Sequence, residues 1–150
     1  MNSKEIGETF EYYLRHLFHP LEFTREKLPP KKEDGKSTSK EEEKKPDFKF
    51  THRDTEHSFW VEAKYKSDIH KGKLRVCKKH KYDRYKKFQK SVSPEKVFIV
   101  VGHKGEPYNP EILFVFDIEK MKHATPYEHM LENRGRNPRK LFQYEPGELI

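Results

Sequence analysis

Three side chains in the stretch PDFKFTHRDTEHSFWVEAKYK, residues 46–66, have the types and spacing that phosphodiester chemistry asks for: Asp47, Glu62 and Lys64. Magnesium takes hard oxygen ligands, keeps several waters, and is typically held by one or two carboxylates together with substrate phosphate. Asp47 and Glu62 can supply the carboxylates, with the backbone carbonyl of Ala63 as a further oxygen. A metal held there lowers the pKa of its water and neutralises charge on a phosphodiester. Lys64 would stand beside it to stabilise developing charge or to hold the attacking water.

Such a trio works only if the chain folds back on itself. In SFWVEAK, residues 58–64, Phe59, Val61 and Ala63 alternate with Trp60, Glu62 and Lys64, so a strand would put Glu62 and Lys64 on one face. Pro46-Asp47 opens a second run, Phe48-Lys49-Phe50-Thr51, and the polar segment 52–57 has the length of a hairpin loop. That hairpin would return Asp47 to Glu62. Upstream, Asn2 or Ser3 caps a helix expected to run to Phe18, with Ile6, Phe10, Tyr13, Leu14, Leu17 and Phe18 as its apolar stripe and Glu5 and Glu8 near its start. Glu11 sits at the edge of that stripe, where a helix can hand a carboxylate to a sheet; it also fits an ordinary exposed glutamate.

Pro-Asp followed by Glu-Ala-Lys on the next strand resembles the PD-(D/E)XK nuclease superfamily, with its restriction-endonuclease-like fold. Gly7-Glu8-Thr9-Phe10-Glu11 is similar to the glycine and glutamate that open archaeal Holliday-junction resolvases. The resemblance runs over residues 6–117 as an order of elements. It implies that Asp47, Glu62 and Lys64 form the catalytic motif, that Asp47, Glu62 and the Ala63 carbonyl bind Mg²⁺, with Mn²⁺ as a substitute, and that Glu11 is an auxiliary carboxylate. The implied activity is a metal-dependent DNA endonuclease of the restriction, repair or recombination type. The tripeptide itself recurs at Glu42-Glu43-Lys44 inside a charge run, so the strand, the Pro-Asp and the preceding helix carry the resemblance.

Composition agrees with a polyanionic partner. The 150 residues fit one domain, carry a formal net charge of +7, and have a mean hydropathy of −1.16, with 38% charged residues. DNA is the expected partner; RNA is not distinguished from it, and a homodimer stays open. The single cysteine, Cys77, forms no internal disulfide and points to a reducing, cytoplasmic compartment. No stretch reaches the roughly twenty apolar residues of a membrane span, and no apolar signal region opens the chain.

The remaining elements follow from pattern and breakers. Residues 21–25 make a short first strand, and 27–45, rich in Pro, Lys, Glu and Ser and including Glu41, Glu42 and Glu43, make a mobile charged loop. A helix is expected over 74–89, with Leu74, Cys77, Tyr85 and Phe88 on one face and Lys81 interrupting it. Its other faces carry Lys78, Lys79, Arg84, Lys86 and Lys87, which can track a phosphate backbone or merely be solvated. In several nuclease families this helix lends a polar residue to the site, and Gln89 or Lys81 would be that residue here. Strands over 96–101 and 112–116 flank a turn-rich loop at 102–110; short helices at 118–121 and 126–133 and a basic turn at 134–140 follow. His16 and His19 lack the second ligand cluster a metal pair needs.

The expected fold is therefore one α/β domain, a central mixed sheet flanked by helices in the order α-β-β-β-α-β. Two other functional classes stay open: a catalytically inactive nuclease-fold nucleic-acid-binding protein, and a domain whose positive charge serves an acidic protein partner.

Overall fold

Asn2 starts the first helix, α1 (Ser3–Arg15), by accepting the Glu5 amide on its side-chain oxygen at 2.9 Å. A computed structural model describes residues 1–29 and 45–150, so all but the ends of the charged 27–45 loop, including Glu41, Glu42 and Glu43, lies outside the described residues. Helix α1 stops at Arg15 rather than at Phe18. The amides of Leu17 and Phe18 reach back only three residues, to the carbonyls of Leu14 and Arg15, and this tighter turn drives both side chains into the core.

Five strands form one mixed sheet in sequence order: β1 (Phe23–Glu26), β2 (Phe48–His52), β3 (Ser58–Lys66), β4 (Lys96–Glu106) and β5 (Asn109–Asp117). The β3–β4 pair is parallel and the other three are antiparallel. The expected α/β class with a mixed sheet holds. Strand β1 begins two residues later than the sequence suggests, because the amides of Glu22 and Phe23 turn back to the His19 carbonyl and leave Leu21 exposed. The parallel pair needs a long connection, and it contains the second helix, α2 (Lys79–Val92).

Alternation along β3 divides the core into two layers. Phe59 and Val61 pack with Phe10, Leu14, Phe18 and Phe50 on the α1 side of the sheet. Trp60 lies on the other side with Tyr82, Tyr85, Val97 and Ile99, against α2. Glu62 and Lys64 follow Trp60 in the period of two and so face α2.

Several boundaries depart from the sequence reading for identifiable reasons. Residues 74–77 are not helical: the amides of Leu74 and Val76 bond the carbonyls of Pro126 (2.9 Å) and Ala124 (3.1 Å), so this segment is buried by pairing with another stretch of chain. Residues 102–110 belong to the strands, joined by a tight turn at Pro107-Tyr108. Gly105 permits it, since its φ is 66° and a Cβ there would lie 2.6 Å from the Asn109 carbonyl oxygen. Residues 118–121 form a single turn closed on the Asp117 carbonyl, and 126–133 contain only a 3₁₀ turn at Glu128–Leu131.

The basic turn at 134–140 covers the outer edge of β5. Arg136 exchanges two backbone hydrogen bonds with Leu113, its guanidinium lies 4.1 Å above the Phe142 ring, and it donates to the carbonyls of Lys140 and Leu141. Arg136 thus serves the fold. A small hairpin, β6 (Tyr144–Glu145) and β7 (Glu148–Leu149), closes the α1 layer by stacking Tyr144 on Phe59 at a centroid distance of 5.0 Å. The sequence reading missed it. Among the described residues no helix is long and apolar enough to cross a membrane.

One contact ties the sheet to the helix that carries Glu11. At Gly102 of β4, a Cβ would lie 2.4 Å from the Phe10 ring. Gly102→Ala is expected to push α1 away from the sheet and to destabilise the protein by about 1–3 kcal/mol. A lower denaturant midpoint with an unchanged slope would show it.

Candidate active site

Asp47 and Glu62 are held together through the backbone. The hairpin pairs Phe48 with Val61, and continuing that register by one step sets Asp47 opposite Glu62. The Asp47 amide donates to Glu62 Oε1 at 3.2 Å, and the Ala63 amide donates to Asp47 Oδ2 at 2.9 Å. The β2–β3 ladder stops at the Phe48–Val61 pair. The N–H and C=O of one strand residue point to the same side, so the Ala63 carbonyl opens toward the edge where Asp47 sits.

Glu62 is 6% exposed, and a carboxylate so placed needs partners. Tyr85, one of the buried residues of α2, donates its phenol to Glu62 Oε2 in a short hydrogen bond. Lys64 Nζ lies 3.8 Å from the same oxygen. Burial pushes the Tyr85 phenol well above its ordinary value, and the negative charges of Glu62 and Asp47 push it further, so the proton stays on Tyr85 and the phenol remains a donor.

These groups open into a cleft of about 840 Å³ between the start of α1, the hairpin and α2. Glu11 lines it from α1. Its cations are Lys45, Lys64, Lys66, Lys81 and Arg84. Lys64, Lys66, Lys81 and Arg84 crowd one another: the Lys64 charge, followed by burial, lowers the pKa of Lys81, while burial, followed by Lys64, lowers that of Lys66. Arg84 Nε is buried without a hydrogen-bond partner among the described residues. A cluster of this kind is relieved by an anion.

The other basic residues singled out from sequence are dispersed. Of Lys78, Lys79, Arg84, Lys86 and Lys87, only Arg84 lines the cleft. Lys86 instead donates to the carbonyls of Ile118 (2.6 Å) and Met121 (2.5 Å), capping the turn after β5, so its ammonium is spent within the fold. Lys79 pairs with Asp83 at 2.8 Å, and Lys78 and Lys79 line a neighbouring cavity; Lys87 is simply exposed. Gln89 does not reach the site either. It accepts the Val97 amide and donates to the Glu95 carbonyl, both at 2.7 Å, pinning α2 to the start of β4. Lys81 does line the cleft, and the helix residue that touches Glu62 is Tyr85. The signal available in the sequence was the i, i+4 spacing of Lys81 and Tyr85, which puts both on one helix face. Cys77 is buried, with its thiol pKa raised by that burial, and is not a nucleophile of the reactive kind.

Among the described residues no group of three or more His, Cys, Asp or Glu side chains converges as an all-protein metal cage. Two linked carboxylates beside a strand carbonyl instead match a hard cation that keeps most of its waters and takes further oxygens from phosphate. Asp47 Oδ2 and Glu62 Oε1 each accept an amide hydrogen bond, and a carboxylate oxygen carries two lone pairs. Compared with protein-family models the chain matches none, and no curated protein matches its sequence.

Removing the phenol tests the packing of the site. Tyr85→Phe leaves Glu62 buried with one donor fewer and is expected to cost about 1–3 kcal/mol of stability. Because the folded-state pKa is raised above the ordinary 10.0, the Tyr85 contribution is fully present below that pH and is lost as the pH rises above it. The stability difference between wild type and Tyr85→Phe should therefore shrink in denaturant titrations at alkaline pH.

Proposed function

We propose that this cleft hydrolyses phosphodiester bonds in DNA with Mg²⁺ as its cofactor, on a restriction-endonuclease-like fold of the PD-(D/E)XK type. The observation that carries the reading is the reciprocal amide link between Asp47 and Glu62, with Lys64 beside it. Residues 15 apart in sequence and of like charge are brought together there, in a cleft that also carries Lys64, Lys66, Lys81 and Arg84. The order of helix, antiparallel hairpin, crossover helix and parallel strand supports it.

Asp47, Glu62 and the Ala63 carbonyl would hold the metal. When bound, Mg²⁺ supplies positive charge beside the scissile phosphate and makes water more acidic. Lys64 offers its ammonium to the phosphoryl oxygens as negative charge builds on them. Tyr85 keeps the Glu62 carboxylate in one orientation, Glu11 adds a second acidic wall, and Lys81 and Arg84 draw in the phosphate backbone.

The test is nicking of supercoiled plasmid by the purified protein with Mg²⁺, with Mn²⁺, and with chelator. Nicked product with either metal and none with chelator is expected; product in chelator, or none under any condition, would falsify the proposal. One observation favours a second reading, an inactive nucleic-acid-binding protein: Glu62 Oε2 is already met by both Tyr85 and Lys64. That reading requires salt-sensitive DNA binding indifferent to Mg²⁺.

A further inference from the structure

A second cavity, of about 520 Å³, adjoins the cleft, and Lys66 lines both. Its charged lining among the described residues consists of Lys66, Arg75, Lys78, Lys79 and Lys122, with His123 beside them, and no carboxylate lines it. Lys79 is committed to Asp83. The rest are mounted on a fixed backbone. Leu74 and Val76 are fully buried on either side of Arg75, so the alternation of this extended segment turns Arg75 outward. Lys122 and His123 precede Ala124, whose carbonyl accepts the Val76 amide at 3.1 Å. Lys66 sits at the end of β3, its carbonyl held 2.7 Å from His103 Nδ1.

Lys78 adds a second element. It is the residue before the first turn of α2, and its own side chain makes no capping hydrogen bond, so the first-turn amides and the positive end of the helix dipole add to the cations around them. Four segments of chain, the end of β3, residues 74–77, the start of α2 and residues 122–124, thus present positive charge to one concavity. A single bound metabolite would leave much of this span unused, whereas a strand of phosphodiesters would use it along its length.

We propose that the nucleic-acid backbone continues out of the catalytic cleft, over Lys66, and into this second cavity, where Arg75, Lys78 and Lys122 hold phosphates several nucleotides from the scissile bond. The proposal rests on the nuclease reading for the identity of the cleft, but it concerns binding and has its own test. The protein should accordingly prefer substrates that extend beyond the site on the side of Lys66.

The experiment is fluorescence anisotropy in chelator, with labelled DNA of about four and about twenty nucleotides, single-stranded and duplex, over a salt series. The longer DNA should bind at least about tenfold more tightly. In Arg75→Ala/Lys122→Ala, the slope of log affinity against log salt on the long single strand should fall by about 1.4, roughly 0.7 for each cation removed. Both residues are exposed, so the fold should survive. A charge-matched pair at the far edge strand, Arg25→Ala/Lys27→Ala, should leave the slope unchanged. Equal losses in the two pairs, equal affinity for short and long DNA, or no binding would overturn the proposal. If plasmid nicking is absent in wild type while the two pairs still differ, the catalytic reading falls and the track stands; if nicking is present and the pairs behave alike, the reverse holds.

Discussion

Asp47→Asn is expected to reduce Mg²⁺-dependent DNA cleavage on the order of a thousandfold, about 4 kcal/mol of transition-state stabilisation, while the unfolding midpoint stays close to that of wild type. The substitution is chosen for what it keeps. Asn retains a side-chain oxygen to accept the Ala63 amide, so the local hairpin geometry survives, but it removes one of the two negative charges that would hold the cation. Asp47→Ala would confuse the two effects, because it leaves that amide without its acceptor and adds about 1–3 kcal/mol of destabilisation. Normal nicking rates in a folded Asp47→Asn protein would remove Asp47 from the mechanism.

Lys64→Ala is expected to lower the cleavage rate by at least about a hundredfold, the usual consequence of losing one group placed where transition-state charge develops. Lys64 is partly exposed and lies 3.8 Å from Glu62, so its loss should cost the fold little. A second readout does not depend on turnover. The Lys64 charge is the largest cause of the depressed pKa of Lys81, so that pKa should rise in the variant, as followed by NMR titration of the side-chain signals. Lys64→Arg should keep Lys81 depressed, but it places a flat, forked cation where a compact one sat and should recover only part of the rate. An unaltered rate in Lys64→Ala would leave Lys64 as an electrostatic neighbour of Glu62 and nothing more.

The legible part of this molecule is the part governed by short-range periodicity. Alternation over residues 58–64 was enough to put Glu62 and Lys64 on one face, and the loop length between the two runs was enough to return Asp47 to Glu62. Helical periodicity put Glu11 at the edge of the apolar stripe of α1 and left its role open; the fold sets it in the cleft lining. Long-range partners were not legible. Leu74 and Cys77 look like a helical stripe, yet the segment that holds them is buried by bonding to 124–126, a pairing that no local pattern announces. Tyr85 reads as a core aromatic, and it is one; its hydroxyl is what reaches Glu62, and only the crossover of α2 over the sheet brings it there.

Basic residues show the same limit. A lysine-rich helix gives the sign of the surface charge but not its destination, and the fold sends Lys86 to two carbonyls, Lys79 to Asp83 and Arg84 to the cleft. Arg136 lay in a basic turn, and the edge of β5 claimed it. Charge counts from sequence thus give the sign of the surface, while the face that carries free charge depends on which cations the fold has already used.

The account turns on whether Asp47 and Glu62 jointly hold a divalent cation. Titrating the protein with Mn²⁺ and counting the free ion by electron paramagnetic resonance tests this without reference to turnover. Saturable binding that Mg²⁺ displaces, and that is lost in both Asp47→Asn and Glu62→Gln, is the expected result. Absence of such binding in wild type, or its survival in both variants, would contradict the account.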